Sequence, residues 1–265
     1  MNKPVIYILF TGFLLSLLVT SCEDIIDVDL RSVDPELVIE GVVRLDAPAE
    51  VLITKTKDFS STNDYTPITD AVVVISDNDG NSEQLQPNAS GRFMAASIIG
   101  KVRKTYHLSV TYENKEYTAT STMPAVVEID SLTQWKFPLL DFEEPMLHFN
   151  DPLGEENQYY RIVIGLNGEW PNFRKRLIST EFMDGNVIHQ PIFIRLEGDN
   201  EEDPIASGDL ITIEMQCMDK GTFTFFDTLD RVEDSLANPT SNIAGGALGY
   251  FGAYSFARKD ILMEW

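Results

Sequence analysis

Cysteine and histidine are scarce in this 265-residue sequence, which contains two cysteines and three histidines. Two cysteines, Cys22 and Cys217, cannot form a disulfide framework, and Cys217 alternates with strand-like apolar residues that predict a buried, unreactive thiol. The histidines lie far apart, without the HxxxH or HExxH spacing of zinc enzymes. The short motifs of serine hydrolases and phosphate-binding loops are also missing. The sequence therefore predicts no metal centre, no cofactor and no enzymatic activity.

Basic residues are also few: 20 lysines and arginines face 42 aspartates and glutamates, which gives a formal net charge of −22. Nucleic acids and anionic lipid surfaces attract proteins through basic surfaces, so both are excluded as electrostatic partners. A solubilising surface explains the acidity, and capture of a cationic ligand or metal is the alternative. Hydrophobic residues make up 43% of the chain and aromatic residues 10%, which predicts a packed core.

Residues 1–21 have the pattern of an export signal. Lys3 precedes an apolar run from Val5 to Val19, shorter than the ~20 residues that a membrane-spanning helix needs. Val-Thr-Ser and then Cys22 follow, an arrangement typical of bacterial lipoproteins, which are cleaved before a cysteine that carries lipid. Several acyl chains on Cys22 make a stable membrane anchor. The alternative is an ordinary secretory signal followed by a free cysteine.

The rest of the chain predicts an all-β fold. Residues 22–36 are acidic at their start and have no regular period, which indicates a tether. Residues 37–123 contain short alternating segments separated by turn residues, as in an antiparallel sandwich of the immunoglobulin or prealbumin kind. Pro124 marks the predicted boundary to a larger β-sandwich domain over residues 124–265, with one short helix between Phe223 and Leu236.

The predicted strands share either strict alternation or a short continuous apolar run. They are Leu37–Val43, Val51–Thr56, Ala71–Ile75, Tyr106–Tyr112, Glu116–Thr122, Ser131–Phe137, Met146–Phe149, Tyr159–Leu166, Leu177–Met183, Ile192–Leu196, Asp209–Met218 and Ala247–Ala257.

Three loops carry residues that other proteins use in binding sites. The segment from Asp77 to Gly80 resembles part of a calcium loop but lacks its first and last ligands, so we predict a hairpin turn. The loop 198–204 holds four acidic residues and is either a hard-cation site or a solvated loop. The glycines between Gly245 and Gly252 have no following helix to bind phosphate, and we predict that they allow close backbone packing.

One loop combines aromatic and basic residues. Trp170 and Phe173 have no place on an apolar strand face, and they precede a dense basic cluster in an acidic protein. The predicted ligand or partner contact consists of Trp170, Phe173, Arg174, Lys175 and Arg176. The alternative is that the basic residues lie on a solvated edge strand, where charge prevents aggregation.

Three parts of the sequence together resemble a known lipoprotein family. They are Cys22 with the acids after it, the segment Leu37–Gly41 with Thr54–Thr56, and the glycine-aromatic segment Ser241–Phe251. The mature chain resembles the Bacteroidota lipoprotein family called domain of unknown function 4249. Its first half is also similar to carboxypeptidase-regulatory-like, prealbumin-type sandwiches, on the residues Thr69–Val74, Ser90–Phe93 and Tyr106–Leu108.

The resemblance implies a cellular role but identifies no catalytic residues. Members of that family tend to be encoded beside TonB-dependent outer-membrane receptors, which implies an accessory part in nutrient uptake. Glu23 and Asp24 are similar to a surface-export signal, which leaves open whether the protein faces the periplasm or the exterior. The sequence thus predicts a non-enzymatic outer-membrane lipoprotein that binds a ligand or partner. A structural or adhesive envelope protein is the alternative, and an envelope hydrolase is the third.

Overall fold

The structure is a computed structural model of the chain, and it describes residues 34–57, 65–136, 143–153, 159–171, 173, 175–183, 185–195, 205–232 and 237–265. The signal segment, Cys22, the tether up to residue 33, Arg174 and the acidic loop 198–204 therefore lie outside the described residues. Pro35–Trp265 form one compact unit. The part of the chain that is described contains no helix with the length and apolarity to cross a membrane.

In the part of the chain that the structure describes, the fold is all-β with one helix, as predicted. The strands are β1 (Leu37–Arg44), β2 (Pro48–Lys55), β3 (Val72–Asp77), β4 (Ser82–Gln84), β5 (Gln86–Pro87), β6 (Phe93–Ile99), β7 (Thr105–Tyr112), β8 (Lys115–Thr122), β9 (Ser131–Lys136), β10 (Glu143–Asn150), β11 (Tyr159–Leu166), β12 (Arg176–Ser179), β13 (Val187–Pro191), β14 (Leu210–Met218) and β15 (Leu248–Leu262). The helix, α1, is Lys220–Leu229.

Hydrogen bonds join these strands into three sheets in the described part of the chain. The largest has the order β12-β11-β14-β15-β1-β2-β6-β5, and the smaller sheets have the orders β13-β10-β9 and β4-β3-β7-β8. Strand neighbours are antiparallel except for β1 and β15, which run parallel with Ile39 opposite Gly249. Strand β1 lies near the start of the described residues and β15 near their end, and the two strands pair at the centre of the large sheet.

The first core lies between the large sheet and the four-stranded sheet. Ile39 and Phe93 point into it from the large sheet, and Val73 and Tyr106 point into it from the other side. The strand pairs within residues 37–123 are all antiparallel. This part of the chain is the antiparallel sandwich that the alternation predicts.

The second core lies between the large sheet and the three-stranded sheet. Tyr160 and Ile213 come from the large sheet and Phe149 and Ile188 from the small one. Cys217 is in this core as a free, buried thiol, as its strand position predicts.

The two cores lie within one compact unit. Met123 belongs to the first core and Val127 to the second, and Ala247 and Ala253, beyond the predicted boundary at Pro124, also belong to the first core. The large sheet nevertheless continues across both, because β15 pairs with β1 on one side and with β14 on the other. The same strand contributes Phe251 to the first core and Ala257 to the second. A single sheet therefore holds the two predicted domains together.

Helix α1 packs on the face of the large sheet that points away from the second core. Its first turn is capped by Asp219, whose carboxylate accepts a hydrogen bond from the Thr222 amide at 2.8 Å. The rings of Phe225 and Phe226 pack against Tyr250 of β15, each with a centroid distance of 4.8 Å. The helix covers one end of this sheet face and leaves the other end open.

Candidate functional site

An open cleft of about 510 Å³ lies on the uncovered end of that sheet face, and we call it the Trp170 cleft. Strands β11, β14 and β15 form its floor, and the turn after β11 forms one wall. The lining residues are Gly165, Gly168, Glu169, Trp170, Thr212, Arg258, Lys259 and Asp260.

A two-residue turn places Trp170 at the edge of the cleft. Asn167 and Gly168 have φ angles of 51° and 86°, and Leu166 and Glu169 exchange backbone hydrogen bonds of 2.9 Å across them. This is the pattern of a type I′ hairpin turn, for which Asn-Gly is a favoured sequence. The Asn167 side chain accepts a hydrogen bond from the Leu210 amide at 2.9 Å, which fixes the turn to the start of β14.

Gly165 lies beside the indole ring. A Cβ atom at this position would lie 3.5 Å from Cε3 of Trp170, an ordinary contact distance, and 3.2 Å from Cβ of Thr212, its neighbour on β14. Side chains at these two positions point to the same face of the sheet. Trp170 therefore lies next to the sheet at Gly165, and 46% of its surface stays exposed.

Arg258 supplies the cationic group of the cleft. Its Nε and Nη2 atoms donate to Oε2 of Glu214 at 2.7 and 2.6 Å, and its Cζ lies 4.9 Å from the centroid of the Trp170 ring. The Glu214 carboxylate is buried, whereas 43% of the Arg258 side chain is exposed. An arginine fixed by a carboxylate and stacked on an aromatic ring keeps its remaining donors directed at solvent.

The basic character extends along the sheet from the cleft. Arg44 of β1 donates to the same Oε2 atom of Glu214 at 3.3 Å, and its Cζ lies 4.3 Å from the ring of Phe256. The ammonium group of Lys259 points to the other side, where it donates to the carbonyl oxygens of Ile129 and Asp130 at 3.0 and 2.6 Å. Two arginines around one carboxylate give this area a local positive charge in a protein of net charge −22.

Acidic residues form the opposite edge of the cleft. Asp260 accepts a hydrogen bond from the Thr212 hydroxyl at 2.7 Å, and Glu169 follows the turn. The cleft thus offers an exposed aromatic face, a guanidinium and two carboxylates. Such a set suits a flat ligand or a side chain held by stacking and hydrogen bonds.

The predicted contact residues are only partly brought together. Trp170 lies at the cleft, but Phe173 is 3% exposed and packs in the second core, so it cannot serve as a surface contact. Phe173 follows a turn at Pro171 and lies outside the strands given above, so the alternation of apolar and polar residues does not reveal that it is buried. Arg176 begins β12, the edge strand of the large sheet, as the edge-strand alternative predicts. Lys175 is half-buried and does not line the cleft, and Arg174 is outside the described residues.

Sequence reasoning missed the arginines and the carboxylate at this site. Arg44, Glu214 and Arg258 lie on three strands that are far apart in the chain, and register alone brings them together. Glu214 and Gln216 are polar residues inside the apolar strand β14, and both are buried. These two polar residues within an apolar strand were the sequence signal that could have indicated the site, because a buried carboxylate needs a cationic partner.

The turn that resembles part of a calcium loop has a structural role. Asp77 and Gly80 form the predicted hairpin turn, and Lys104 donates to Asp77 at 2.8 Å. Burial alone would raise the pKa of Asp77, but hydrogen bonds from Lys104, Asn81 and the Asp79 amide hold it well below its usual range. Among the described residues, no group of three or more histidine, cysteine, aspartate or glutamate side chains is arranged to hold a metal ion.

Comparison with known proteins gives one family match. The family model described as a domain of unknown function, DUF4249, matches residues 23–260. The match includes strands β1 to β14 and all but the last two residues of β15. No curated protein matches the sequence.

Proposed function

The chain belongs to the DUF4249 family, and we propose that it is a non-enzymatic outer-membrane lipoprotein that engages a TonB-dependent uptake system through the Trp170 cleft. It is anchored by lipid on Cys22 and faces the cell exterior. Its role is to bind the receptor or what the receptor carries, without changing it chemically.

The Trp170 cleft is the observation that carries the proposal. The exposed indole of Trp170 and the guanidinium of Arg258 lie 4.9 Å apart on a rigid sheet floor. Exposed aromatic and arginine side chains are enriched among residues that dominate binding energy in interfaces. Their support by Glu214 and by the Asn167–Gly168 turn means that little conformational entropy is lost when a partner binds.

The membrane setting rests on the amino-terminal sequence. The apolar run to Val19 and the cysteine at position 22 supply both an export signal and a lipid attachment site. The resemblance to the family supplies the expected neighbour, a TonB-dependent receptor.

A structural or adhesive role is the second candidate, and exposed apolar residues favour it. Phe182 and Leu153 are 95% and 83% exposed, and Val187 is 55% exposed. The side chain of Leu153 lies against Gly185 in the same loop region, 2.8 Å from where a Cβ would be. Large exposed apolar side chains are common at protein contact surfaces.

Affinity purification from solubilised outer membranes distinguishes the two candidates. We expect a TonB-dependent receptor to co-purify with the wild type and with Phe182→Ala, and its recovery to fall at least tenfold with Trp170→Ala. Cys22→Ser should remove the protein from the membrane fraction after a high-salt wash. The reverse pattern, with Phe182→Ala defective and Trp170→Ala normal, would favour the adhesive role. Recovery of no receptor by the wild type would contradict the proposal.

A further inference from the structure

Two histidines that are far apart in the sequence meet across a strand pair of the three-stranded sheet. The antiparallel register of β10 and β13 places His148 directly opposite His189, which is 41 positions later in the sequence. Their Nδ1 atoms are 2.6 Å apart, and the ring centroids are separated by 4.8 Å at an angle of 68°. We call these two residues the histidine pair. The sequence argument against a metal site considered spacing along one chain segment and did not cover pairing between strands.

The histidine pair lies on the outer face of this sheet. Leu147, Phe149 and Ile188, the neighbours of the two histidines along their strands, are buried in the second core. Because successive side chains alternate across a strand, the two imidazole rings point to the opposite, solvent side. His189 is exposed and His148 is half-buried. An ion in solution can therefore reach both Nδ1 atoms.

Hydrogen bonding positions one ring for coordination through Nδ1. Nε2 of His148 is 2.8 Å from the Thr133 hydroxyl of β9, which can accept its hydrogen. The tautomer with hydrogen on Nε2 has its lone pair on Nδ1, directed at His189. A histidine ligand typically donates its second ring N–H to a neighbouring acceptor in this way. Thr133 is thus a positioning residue for His148.

Two nitrogen lone pairs that face each other across 2.6 Å repel each other unless a hydrogen or a metal ion lies between them. A shared hydrogen satisfies the pair in the metal-free protein, and a metal ion does so in its place. Burial and then the neighbouring His189 lower the pKa of His148, and the charge of Asp130 opposes both effects. The carboxylate of Asp130 itself accepts a hydrogen bond from Asn150 at 2.6 Å.

We propose that the histidine pair binds one divalent late first-row transition metal ion, with Nδ1 of His148 and Nδ1 of His189 as its protein ligands. Imidazole nitrogen is a preferred donor for Cu²⁺, Ni²⁺ and Zn²⁺. Water fills the remaining coordination positions, since no group of three or more candidate ligands occurs among the described residues. The proposal concerns a different face of the molecule from the Trp170 cleft and does not depend on the proposed function.

The geometry requires only a small adjustment. With metal–nitrogen distances of about 2.0–2.1 Å, two nitrogens on a tetrahedral ion are about 3.3 Å apart, and on a square-planar ion about 2.9 Å. The Nδ1 atoms are 2.6 Å apart, so small rotations of the two side chains open the space. The net charge of −22 favours the approach of a divalent cation.

Calorimetric titration of the tag-free protein with CuCl₂ and with ZnCl₂ tests the proposal. We expect one Cu²⁺ ion per chain, bound more tightly than Zn²⁺ as the order of divalent affinities requires. His148→Ala and His189→Ala should each weaken binding of both ions at least tenfold. His107→Ala is the matched control: His107 lies on β7, where its Nδ1 contacts Thr120 at 3.0 Å instead of another histidine, and its loss should leave affinity unchanged.

A spectroscopic readout separates coordination from folding. The electron paramagnetic resonance spectrum of the Cu²⁺ protein should show coupling to two imidazole nitrogens, reduced to one in either single variant. Thr133→Val keeps a β-branched residue in the strand but removes the hydroxyl, and we expect about a 10–100-fold loss of affinity, typical of a lost ligand-supporting hydrogen bond. Unchanged melting temperatures would show that these variants fold. Equal affinity of the wild type and the His148→Ala/His189→Ala double variant, or no binding by the wild type, would overturn the proposal.

Discussion

At the scale of single residues, Glu83 connects two sheets through one carboxylate. It lies on β4, and its oxygens accept hydrogen bonds from the amides of Ala96, Ser97 and Ile98 at 2.5, 2.8 and 3.0 Å. These amides belong to the part of β6 where the register with β2 shifts, between Met94 and Ile99. The bulge would leave amides without partners, and Glu83 supplies the acceptor.

The pH dependence of stability follows from this arrangement. Burial alone would raise the pKa of Glu83, but the hydrogen bonds from Ser97, Ala96 and Ile98 lower it to about 2 from the ordinary 4.5. A lowered folded-state pKa stabilises the protein fully above the unfolded value, and this contribution disappears as the pH falls through the folded value. Glu83→Gln should therefore lower the free energy of unfolding by about 1–3 kcal/mol at pH 7.

Urea unfolding of the wild type and Glu83→Gln between pH 7 and pH 2 measures this contribution. The difference in free energy should be constant above pH 4.5 and shrink between pH 4.5 and 2. Glu113→Gln is the control, because its side chain is 67% exposed and its contact to Lys55 is 3.4 Å long. A difference between wild type and Glu83→Gln that does not change with pH would show that the carboxylate charge is not responsible.

Gly249 shows why a glycine is needed at the centre of the large sheet. Its φ angle is +97°, and a Cβ atom would lie 2.0 Å from the carbonyl oxygen of Ile39 on β1. Gly249→Ala combines backbone strain with overpacking against a main-chain atom, and we expect it to cost about 3 kcal/mol or more. Gly246→Ala is the matched control, since its φ is +81° but nothing lies within 4 Å of its Cβ position. Equal melting temperatures for the two variants would contradict this explanation.

At the scale of secondary-structure elements, Asp219 joins helix α1 to the first half of the chain. One carboxylate oxygen caps the helix at the Thr222 amide, and the other accepts hydrogen bonds from the Ser121 hydroxyl and, at 3.1 Å, from the Thr122 amide on β8. Asp219→Ala removes both, so it should cost more than the about 1 kcal/mol typical of a lost cap. Asp219→Asn keeps the cap acceptor and should recover part of the loss.

Thermal unfolding followed by circular dichroism checks this prediction. Asp227→Ala is the control, because this helix residue only forms an exposed ion pair with Arg231 at 2.6 Å, worth about 0.5 kcal/mol or less. If Asp219→Ala were no more destabilising than Asp227→Ala, the contact between α1 and β8 would not contribute to stability.

The elements that were predicted well have strong local signals. Tyr159–Leu166 is a strand with the predicted bounds, and Tyr106–Tyr112 is extended by one residue, because strict alternation or apolar continuity defines both. The predicted strand Ile192–Leu196 is wrong: the strand is Val187–Pro191, and Ile194 donates its amide to the side-chain carboxylate of Glu144 on β10 instead of to a backbone carbonyl. Apolar residues in an irregular buried segment look the same in sequence as a short strand.

Long-range pairing had no such signal. The parallel contact of β1 with β15 joins segments about 200 residues apart, and alternation within either strand does not identify its partner. The Trp170 cleft and the histidine pair depend on register in the same way. Trp170 was found because an isolated aromatic residue beside a proline is unusual, whereas Arg258 and Glu214 were not, because each is an ordinary polar residue on its own strand.

At the scale of the whole molecule, one sheet joins two cores and presents a single open face. Helix α1 covers one end of this face and the Trp170 cleft occupies the other, so the proposed binding surface lies on the large sheet. Strand β15 is common to both cores and supplies Arg258 to the cleft. Damage to the sheet centre, as in Gly249→Ala, should therefore reduce binding only together with stability, whereas Trp170→Ala should reduce binding alone.

The most direct test of the account is site-specific photo-cross-linking in living cells, with benzoylphenylalanine in place of Trp170 or, as the control, Phe182. Both side chains are exposed, at 46% and 95%, but only Trp170 lines the cleft. The account predicts that the probe at position 170 forms a covalent adduct with a TonB-dependent receptor, identified by mass spectrometry, and that the probe at position 182 does not. An adduct at position 182 alone, or none at position 170, would contradict the claim that the Trp170 cleft engages the uptake system.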